Sequence, residues 1–291
     1  MLIALTIVCL LGLGGVAGAE ELKPFILASN EVGEMAGKVK AVSDALTRNG
    51  FDIVGTYSPY KNASIIVVTN NELKKTASES EHGGYGAVQR VSVTEKDGKL
   101  QVAYTNPVYM ANAYRLKGDL KGAYQALEAA LGKGTPFGPA QGLSADELQK
   151  YHYMFGMEYF DDPSKLGKFD SHQEAVKAIE AGLAAGKGGA SKVYRVDIPG
   201  KEEVLFGVAL TKECSGDEYI MSRIDFKDLR STGHLPYEIL VSEKKVFALY
   251  ARFRIAINFP DLKMMGDNSF FSIMCAPGAI EGALEEVVDQ G

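Results

Sequence analysis

The chain contains four histidines, and two of them occupy comparable positions. His82 and His234 each lie beside glycine in a loop that precedes a predicted β-hairpin. Neutral imidazoles bind haem iron and divalent metals, so two converging loops would present two ligands to one shared group. The alternative is that both loops lie on the surface and contain histidine by chance.

A second group of candidate ligands lies near the middle of the chain and comprises His152, Tyr153, Met154 and Met157. Imidazole and thioether groups suit Cu(I), and methionine also serves as an axial ligand to haem. A continuous helix would turn His152 away from the two methionines, so a metal site requires the helix to break near Gly156. The alternative is an aromatic and methionine plug between two domains, because methionine packs adaptably against rings.

Residues 1–19 predict a secretory signal peptide, because an apolar core is followed by the small-x-small cleavage site Ala17-Gly18-Ala19. The alternative is a retained membrane anchor, which the glycines of this range disfavour. Cleavage would place the mature protein in the periplasm or outside the cell. In that oxidising compartment, Cys214 and Cys275 are expected either to form a disulfide or to remain two buried thiols.

The composition disfavours several classes of function. The net charge is −6 and no basic run is present, which argues against a nucleic-acid partner. After the signal peptide, no segment is long and apolar enough for a predicted membrane span. The sequence has no haem-attachment motif, zinc-binding pair, glycine-rich phosphate loop or Gly-x-Ser-x-Gly motif, so an enzyme is disfavoured.

Hydrophobic periodicity predicts the elements of the first half. A helix ending at Asn49-Gly50 is predicted by apolar residues spaced three or four apart, namely Val32, Met35, Val39, Val42 and Leu46. Residues 87–95 and 99–105 alternate on either side of Asp97-Gly98 and predict a hairpin. Asn106-Pro107 ends its second strand, and a further amphipathic helix follows.

The second half follows the same order. Ser171 begins a predicted helix, and residues 219–226 are expected to form either a strand or a short helix. Residues 236–242 and 246–258 predict a second hairpin, and an amphipathic helix closes the chain. We therefore expect an α+β fold of two tandem β-α-β4-α repeats. Each repeat would be an antiparallel sheet with helices on one face, and the two would pack as a pseudo-dimer.

The predicted domain boundaries follow from this duplication. The first repeat domain covers 20–133 and the second covers 171–291. Between them, 134–170 is predicted to be a linker with a short helix that begins at Ser144 and runs toward Phe155, followed by the aromatic and methionine stretch.

The chain resembles the bacterial domain-of-unknown-function 302 family. The resemblance lies in Gly50-Phe51, the hairpin at 91–102, Asn106-Pro107, the closing helix and the stretch from Leu235 to Val241. It implies a TBP-like β-α-β4-α fold and a dimer-forming habit, which keeps a homo-oligomer among the expected assemblies. Members often have cysteine where Tyr237 stands, and the family implies no settled activity.

These observations favour a non-enzymatic periplasmic binding protein that holds a small ligand between the repeats. Haem and a soft metal such as copper are the named candidates for this ligand. The alternative is a structural or protein-interaction module without a cofactor. The expected partner is therefore a small ligand or a periplasmic protein.

Overall fold

A computed structural model describes residues 21–289, and these fold into an α+β structure with two antiparallel sheets. The predicted signal peptide, residues 1–19, lies outside the described residues. The strands are β1 (Phe25–Glu31), β2 (Asp52–Tyr57), β3 (Ala63–Thr69), β4 (Gln89–Lys96), β5 (Lys99–Thr105), β6 (Thr135–Phe137), β7 (Ser164–Lys168), β8 (Ala190–Asp197), β9 (Glu203–Leu210), β10 (Tyr237–Ser242) and β11 (Lys245–Ala248). The helices are α1 (Met35–Arg48), α2 (Asn71–Glu79), α3 (Pro107–Ala113), α4 (Lys121–Leu131), α5 (Ala145–Gln149), α6 (His172–Ala184), α7 (Asp217–Ile224), α8 (Ala251–Ala256) and α9 (Ala276–Val288).

The first sheet has the strand order β2-β3-β4-β5-β1-β6, and the second has the order β7-β11-β10-β9-β8. The hairpin between β4 and β5 turns at Asp97 (φ +53°) and Gly98 (φ +74°), with Lys96 paired to Lys99. Two left-handed central residues are what a two-residue type I′ turn requires. The hairpin predicted around Asp97-Gly98 is confirmed, as is the antiparallel α+β class.

Strand β3 is buried at every position, so both faces of the first sheet are covered. Ile66 and Val68 pack with Leu46 of α1 in a core on the helix side of the sheet. Ile65 and Val67 point to the opposite face and belong to a larger core that contains strands of the second sheet. Because side chains alternate along a strand, the two sheets therefore face each other between two outer layers of helices.

A loop from each half lies against the sheet of the other half. In the loop after α2, the Gly84 N–H donates to Glu203 Oε1 over 2.6 Å. The loop after α7 lies against β5 of the first sheet. The side chain of Gln101 on β5 donates to the Asp228 carbonyl of this loop (2.7 Å) and accepts from its Arg230 N–H (2.9 Å). These bonds satisfy buried polar groups of one half with partners from the other.

Two predicted elements of the second half differ from the structure. The strand predicted at 246–258 ends at Ala248 and is followed by helix α8. The prediction was wrong because a continuous apolar run is typical of a buried strand and of a buried helix alike. The element predicted at 219–226 as either strand or helix is helix α7.

The predicted linker contributes strands to both sheets. Within 134–170, β6 pairs with β1 and β7 pairs with β11. The second sheet therefore begins before residue 171. Helix α5 opens at Ser144 with the expected capping box but ends at Gln149, so the prediction that it runs toward Phe155 is wrong. Residues 151–162 form irregular structure.

Phe160 connects the two halves through its aromatic ring. The ring centroid lies 6.3 Å from that of Tyr85 and 5.7 Å from that of Tyr114, both of the first half. On the other side it lies 6.2 Å from the ring of Phe253 on α8. Aromatic pairs at such distances add to the free energy gained by burying their area.

We predict that Phe160→Ala lowers the free energy of unfolding by about 3–5 kcal/mol, because it leaves a cavity between three buried rings. Phe155→Ala, five residues away at a side chain that is 100% exposed, is the matched control and should change it by less than about 0.5 kcal/mol. Urea denaturation followed by circular dichroism measures both. Equal effects of the two substitutions would contradict the prediction.

Candidate functional site

Charged residues of both halves meet in the space between the sheets. We call Arg90, His234, Tyr237, Glu238 and Arg254 the inter-sheet cluster, and every one of them is buried. Strand β4 carries Arg90, strand β10 carries Tyr237 and Glu238, helix α8 carries Arg254, and His234 ends the short 3₁₀ turn before β10.

Glu238 is the single carboxylate between two guanidinium groups of the cluster. Its Oε1 pairs with Arg90, and its Oε2 accepts from Arg254 Nε over 3.2 Å. Arg254 also donates to the backbone carbonyl oxygens of His234 and Pro236. Since two cations share one anion, the buried cluster carries a formal excess of one positive charge.

His234 is held as the neutral imidazole. A guanidinium only donates hydrogen bonds, so the contact of 3.1 Å from Arg254 Nη1 makes Nδ1 the acceptor. The remaining nitrogen, Nε2, then donates to the Tyr237 hydroxyl over 3.1 Å. Burial, reinforced by Arg254 and Arg90, lowers the pKa of His234 well below its usual value. Both ring nitrogens are thus engaged with protein groups.

His82 lies in a different environment from His234. It is half-buried, has a left-handed backbone (φ +48°), and its ring lies 4.7 Å from the ring of Phe247. The ring of His234 contacts those of Tyr237 and Phe259 instead. The ring contacts of the two histidines involve different residues, and ligand binding by the pair stays a prediction.

Two cavities flank the loop that follows α7, and together we call them the Asp225 cleft. The first, of about 380 Å³, lies between the halves and includes Tyr60, Glu95, Asp225 and Arg230 in its lining. The second, of about 250 Å³, is the more enclosed and is bordered by Gly138 and by residues of the second half that include Asp225 and Asn258. Asp225 and Phe226 line both cavities.

Two buried acceptor oxygens at the second cavity have no protein partner. Asp225 is 5% exposed; its Oδ1 accepts from the Ser231 N–H over 2.9 Å, while Oδ2 makes no hydrogen bond. Asn258 is 1% exposed; its Nδ2 donates to the Arg254 carbonyl over 3.0 Å, while Oδ1 makes none. Because an unsatisfied buried acceptor costs free energy, such atoms favour a ligand that donates hydrogen bonds.

Burial raises the pKa of Asp225 to about 7, although the Ser231 N–H, Arg230 and Lys227 oppose this shift. The carboxyl is therefore poised to change charge near neutral pH. Beside it, the hydroxyls of Tyr60 and Thr232 are 2.9 Å apart. The Thr94 hydroxyl donates to that of Thr232 over 2.8 Å, and this chain of hydroxyls joins the two halves at the edge of the cleft.

Asp217, at the start of α7, is a second buried carboxyl. Its Oδ2 accepts from the Leu210 N–H (3.2 Å) and from the Tyr57 hydroxyl (3.5 Å), whereas Oδ1 has no partner. Burial raises the pKa of Asp217 to about 8, which outweighs the lowering by these two hydrogen bonds.

The mid-chain candidates lie in the irregular segment after α5. His152 Nδ1 lies 2.8 Å from the Met154 carbonyl oxygen, and the Met157 N–H donates to the same oxygen over 3.0 Å. Met154 is 42% exposed. Tyr153 points elsewhere: its hydroxyl donates to the Leu262 carbonyl. The structure thus brings the ring of His152 and the backbone of Met154 and Met157 together around one carbonyl group.

A disulfide joins Cys214 and Cys275, whose Cα atoms are 5.9 Å apart. It connects the turn before α7 to the N-terminus of α9. Within residues 21–289, no three His, Cys, Asp or Glu side chains are grouped as metal ligands would be. No helix in the same range is long and apolar enough to cross a membrane.

Comparisons of the chain with protein-family models, with curated proteins and with solved structures found no match. The resemblance to the domain-of-unknown-function 302 family therefore stays a prediction.

Sequence reasoning singled out His234 but missed the charged members of the inter-sheet cluster and Asp225. The available signal was a charge flanked by apolar residues, as for Glu238 in Tyr-Glu-Ile-Leu-Val and Asp225 between Ile224 and Phe226. Such isolated charges predict a buried ion pair or a binding group, because an unpaired buried charge is strongly disfavoured.

We predict that Glu238→Gln lowers the free energy of unfolding by about 3–5 kcal/mol, since it leaves two buried guanidinium groups without a counter-charge. Glu202→Gln, at an exposed position before β9, is the control and should change it by less than about 0.5 kcal/mol. Denaturant titrations of the two variants and the parent decide this. A loss below about 1 kcal/mol for Glu238→Gln would refute the role given to the carboxylate.

A pH dependence of the free energy of unfolding follows from the raised pKa values of Asp217 and Asp225. Both carboxyls ionise near pH 4 when the chain is unfolded but only near pH 7–8 when it is folded. Between these limits the unfolded state binds fewer protons, so the free energy of unfolding falls as pH rises.

Asp217→Asn should remove part of this dependence. We expect the substitution to be more stabilising at pH 8 than at pH 5 by roughly 3 kcal/mol, measured by urea denaturation at each pH. Asp228→Asn, at an exposed aspartate of the loop after α7, should leave the pH profile unchanged. Identical profiles for Asp217→Asn and the parent would show that the Asp217 carboxyl is not held protonated.

Proposed function

We propose that this chain is a non-enzymatic binding protein of the periplasm or extracellular space that holds a small organic cation in the Asp225 cleft. The observation that carries the proposal is the pair of buried, unpartnered acceptor oxygens, Asp225 Oδ2 and Asn258 Oδ1, at one enclosed cavity. An ammonium or guanidinium group would donate to both. Binding is favoured over catalysis because, within the described part of the chain, Asp225 accepts a hydrogen bond from the Ser231 N–H but from no nucleophilic side chain.

The charges of the cleft agree with a cationic ligand. Five acidic and four basic side chains line its two cavities, namely Glu95, Glu218, Asp225, Asp261 and Asp267 against Lys61, Lys227, Arg230 and Lys263. Lys227 already pairs with Asp261 over 2.5 Å. With Asp225 ionised, the lining therefore carries a formal charge of −1.

The apolar part of the cleft also suits an organic cation. Phe226 and Phe259 line the more enclosed cavity, and aromatic rings attract organic cations held against their faces. A cavity of about 250 Å³ lies just below the usual range for ligand pockets, roughly 300–1,000 Å³, so the ligand should be small.

The compartment and the architecture are parts of the same proposal. The disulfide between Cys214 and Cys275 supports an oxidising compartment. A duplication packed as a pseudo-dimer is supported by the corresponding strand orders, β2-β3-β4-β5-β1 and β8-β9-β10-β11-β7. The loops that each half lays on the other sheet are what a two-fold relation between repeats would produce.

The test is calorimetric titration of the mature protein with putrescine, ethanolamine and methylguanidine, and with 1,4-butanediol and ethylene glycol as uncharged counterparts. We expect at least one amine or guanidine to bind and the diols not to bind. Because the cation pairs with the ionised Asp225, its affinity should rise about tenfold from pH 6 to pH 8.

Asp225→Asn should weaken this binding at least about tenfold and remove its pH dependence, since the charge that the cation needs is lost. Asp228→Asn, an exposed aspartate of the same loop, is the matched control and should bind like the parent. Equal binding of the diols, or unchanged binding by Asp225→Asn, would overturn the proposal. Absence of binding to every probe would favour the structural or protein-interaction module.

A further inference from the structure

A tight turn brings the backbone of two candidate soft ligands, Met154 and Met157, close together. The hydrogen bond from the Met157 N–H to the Met154 carbonyl, with Gly156 at φ +80°, closes a tight turn of four residues. In such a turn the first and fourth Cα atoms lie within about 7 Å, and glycine suits the left-handed third position. Each methionine has three rotatable bonds, so both sulfur atoms can approach one point.

The hydrogen bond of His152 fixes which of its nitrogens is available. A carbonyl oxygen only accepts, so the Nδ1 atom that faces the Met154 carbonyl at 2.8 Å carries the proton. Nε2 of the neutral ring then retains its lone pair. A backbone carbonyl that holds Nδ1–H is a common way of orienting a histidine that binds a metal through its other nitrogen.

The ring of His152 is further held by Tyr159, whose ring centroid lies 4.5 Å away. The methionines are accessible from solvent: Met154 is 42% exposed and Met157 is half-buried. Because α5 ends at Gln149, the continuous helix that would separate His152 from the methionines does not form.

We infer that His152 Nε2 and the thioethers of Met154 and Met157 form a binding site for Cu(I), distinct from the Asp225 cleft. One imidazole with two thioethers is a soft, neutral ligand set, which suits Cu(I) and is poor for Ca²⁺ or Mg²⁺. A Zn²⁺ site would need more imidazole, thiolate or carboxylate ligands.

The experiment titrates Cu(I) into the mature, disulfide-bonded protein under anaerobic conditions, in competition with a coloured Cu(I) chelator. Ascorbate keeps the copper reduced. A thiol reductant is avoided because free thiolates of Cys214 and Cys275 would themselves bind Cu(I). We expect one Cu(I) per chain, and Zn²⁺ should not displace it.

Substitutions of each ligand separate this site from the rest of the protein. His152→Asn, Met154→Leu and Met157→Leu should each weaken Cu(I) binding at least about tenfold, since even outer partners of metal ligands contribute factors of 10–100. Met35→Leu, at the start of α1, is the matched control and should bind Cu(I) like the parent. In protein labelled at its methionine methyl groups, Cu(I) should shift the NMR signals of Met154 and Met157 and leave that of Met35 unchanged.

Three results would each overturn the inference: no stoichiometric Cu(I), unchanged affinity in the His152 and methionine variants, or equal affinity for Zn²⁺. Asp225→Asn should retain full Cu(I) binding. A failure of the copper site therefore leaves the proposed cation binding intact, and a failure of cation binding leaves the copper site intact.

Discussion

The contact between Glu238 and the two guanidinium groups of Arg90 and Arg254 requires the two halves to dock in one relative position. All three side chains are buried, and removing charges from water is costly unless they are paired and hydrogen-bonded. Arg90 belongs to the first sheet, whereas Glu238 and Arg254 belong to the second half. Sliding one sheet along the other would leave a buried charge unpaired, so the cluster disfavours other registers.

Two glycines permit the close approach that this pairing needs. A Cβ atom on Gly55 of β2 would lie 2.5 Å from the Val193 carbonyl oxygen, so the first sheet meets β8 through backbone. A Cβ atom on Gly207 of β9 would lie 1.9 Å from the ring of Tyr194. The Tyr194 ring therefore occupies the space above Gly207, from which its hydroxyl approaches Glu238 Oε1 at 3.4 Å.

The Asp225 cleft depends on the same cluster. Helix α8 carries Arg254, and one turn later the amide of Asn258, which borders the more enclosed cavity, donates to the Arg254 carbonyl. On the other side, Ser231 connects Asp225 to the short turn that ends at the buried His234. The cluster is thus the support on which the two acceptor oxygens of the cleft are positioned.

The sequence predicted local elements better than it predicted the contacts between distant parts of the chain. The turn at Asp97-Gly98 and the stripe of α1 from Met35 to Leu46 follow from local chemistry, and both are confirmed. Val32, predicted to begin the stripe, precedes the helix and is exposed. Side chains alternate along β4, so Val91 and Val93 lie on one face of the strand and Arg90, Ser92 and Thr94 on the other. This pattern shows which side chains share a face, but it does not show that the second half buries the polar face. The candidate site could not be predicted because Asp225 and Asn258 lie on different elements of the second half, and only its tertiary structure brings them to one cavity.

The mid-chain segment shows how one stretch can serve packing and binding at once. Tyr151 and Phe160 are directed into the protein, where they pack against Phe253 of α8. Between them, the turn at Met154 and Met157 is closed by its own hydrogen bonds, and both methionines are only partly buried. Partly exposed methionines contribute less to folding than fully buried side chains, whereas the rings of Tyr151 and Phe160 anchor the loop that carries them. The plug and the metal-ligand interpretations therefore apply to different residues of the segment and are compatible.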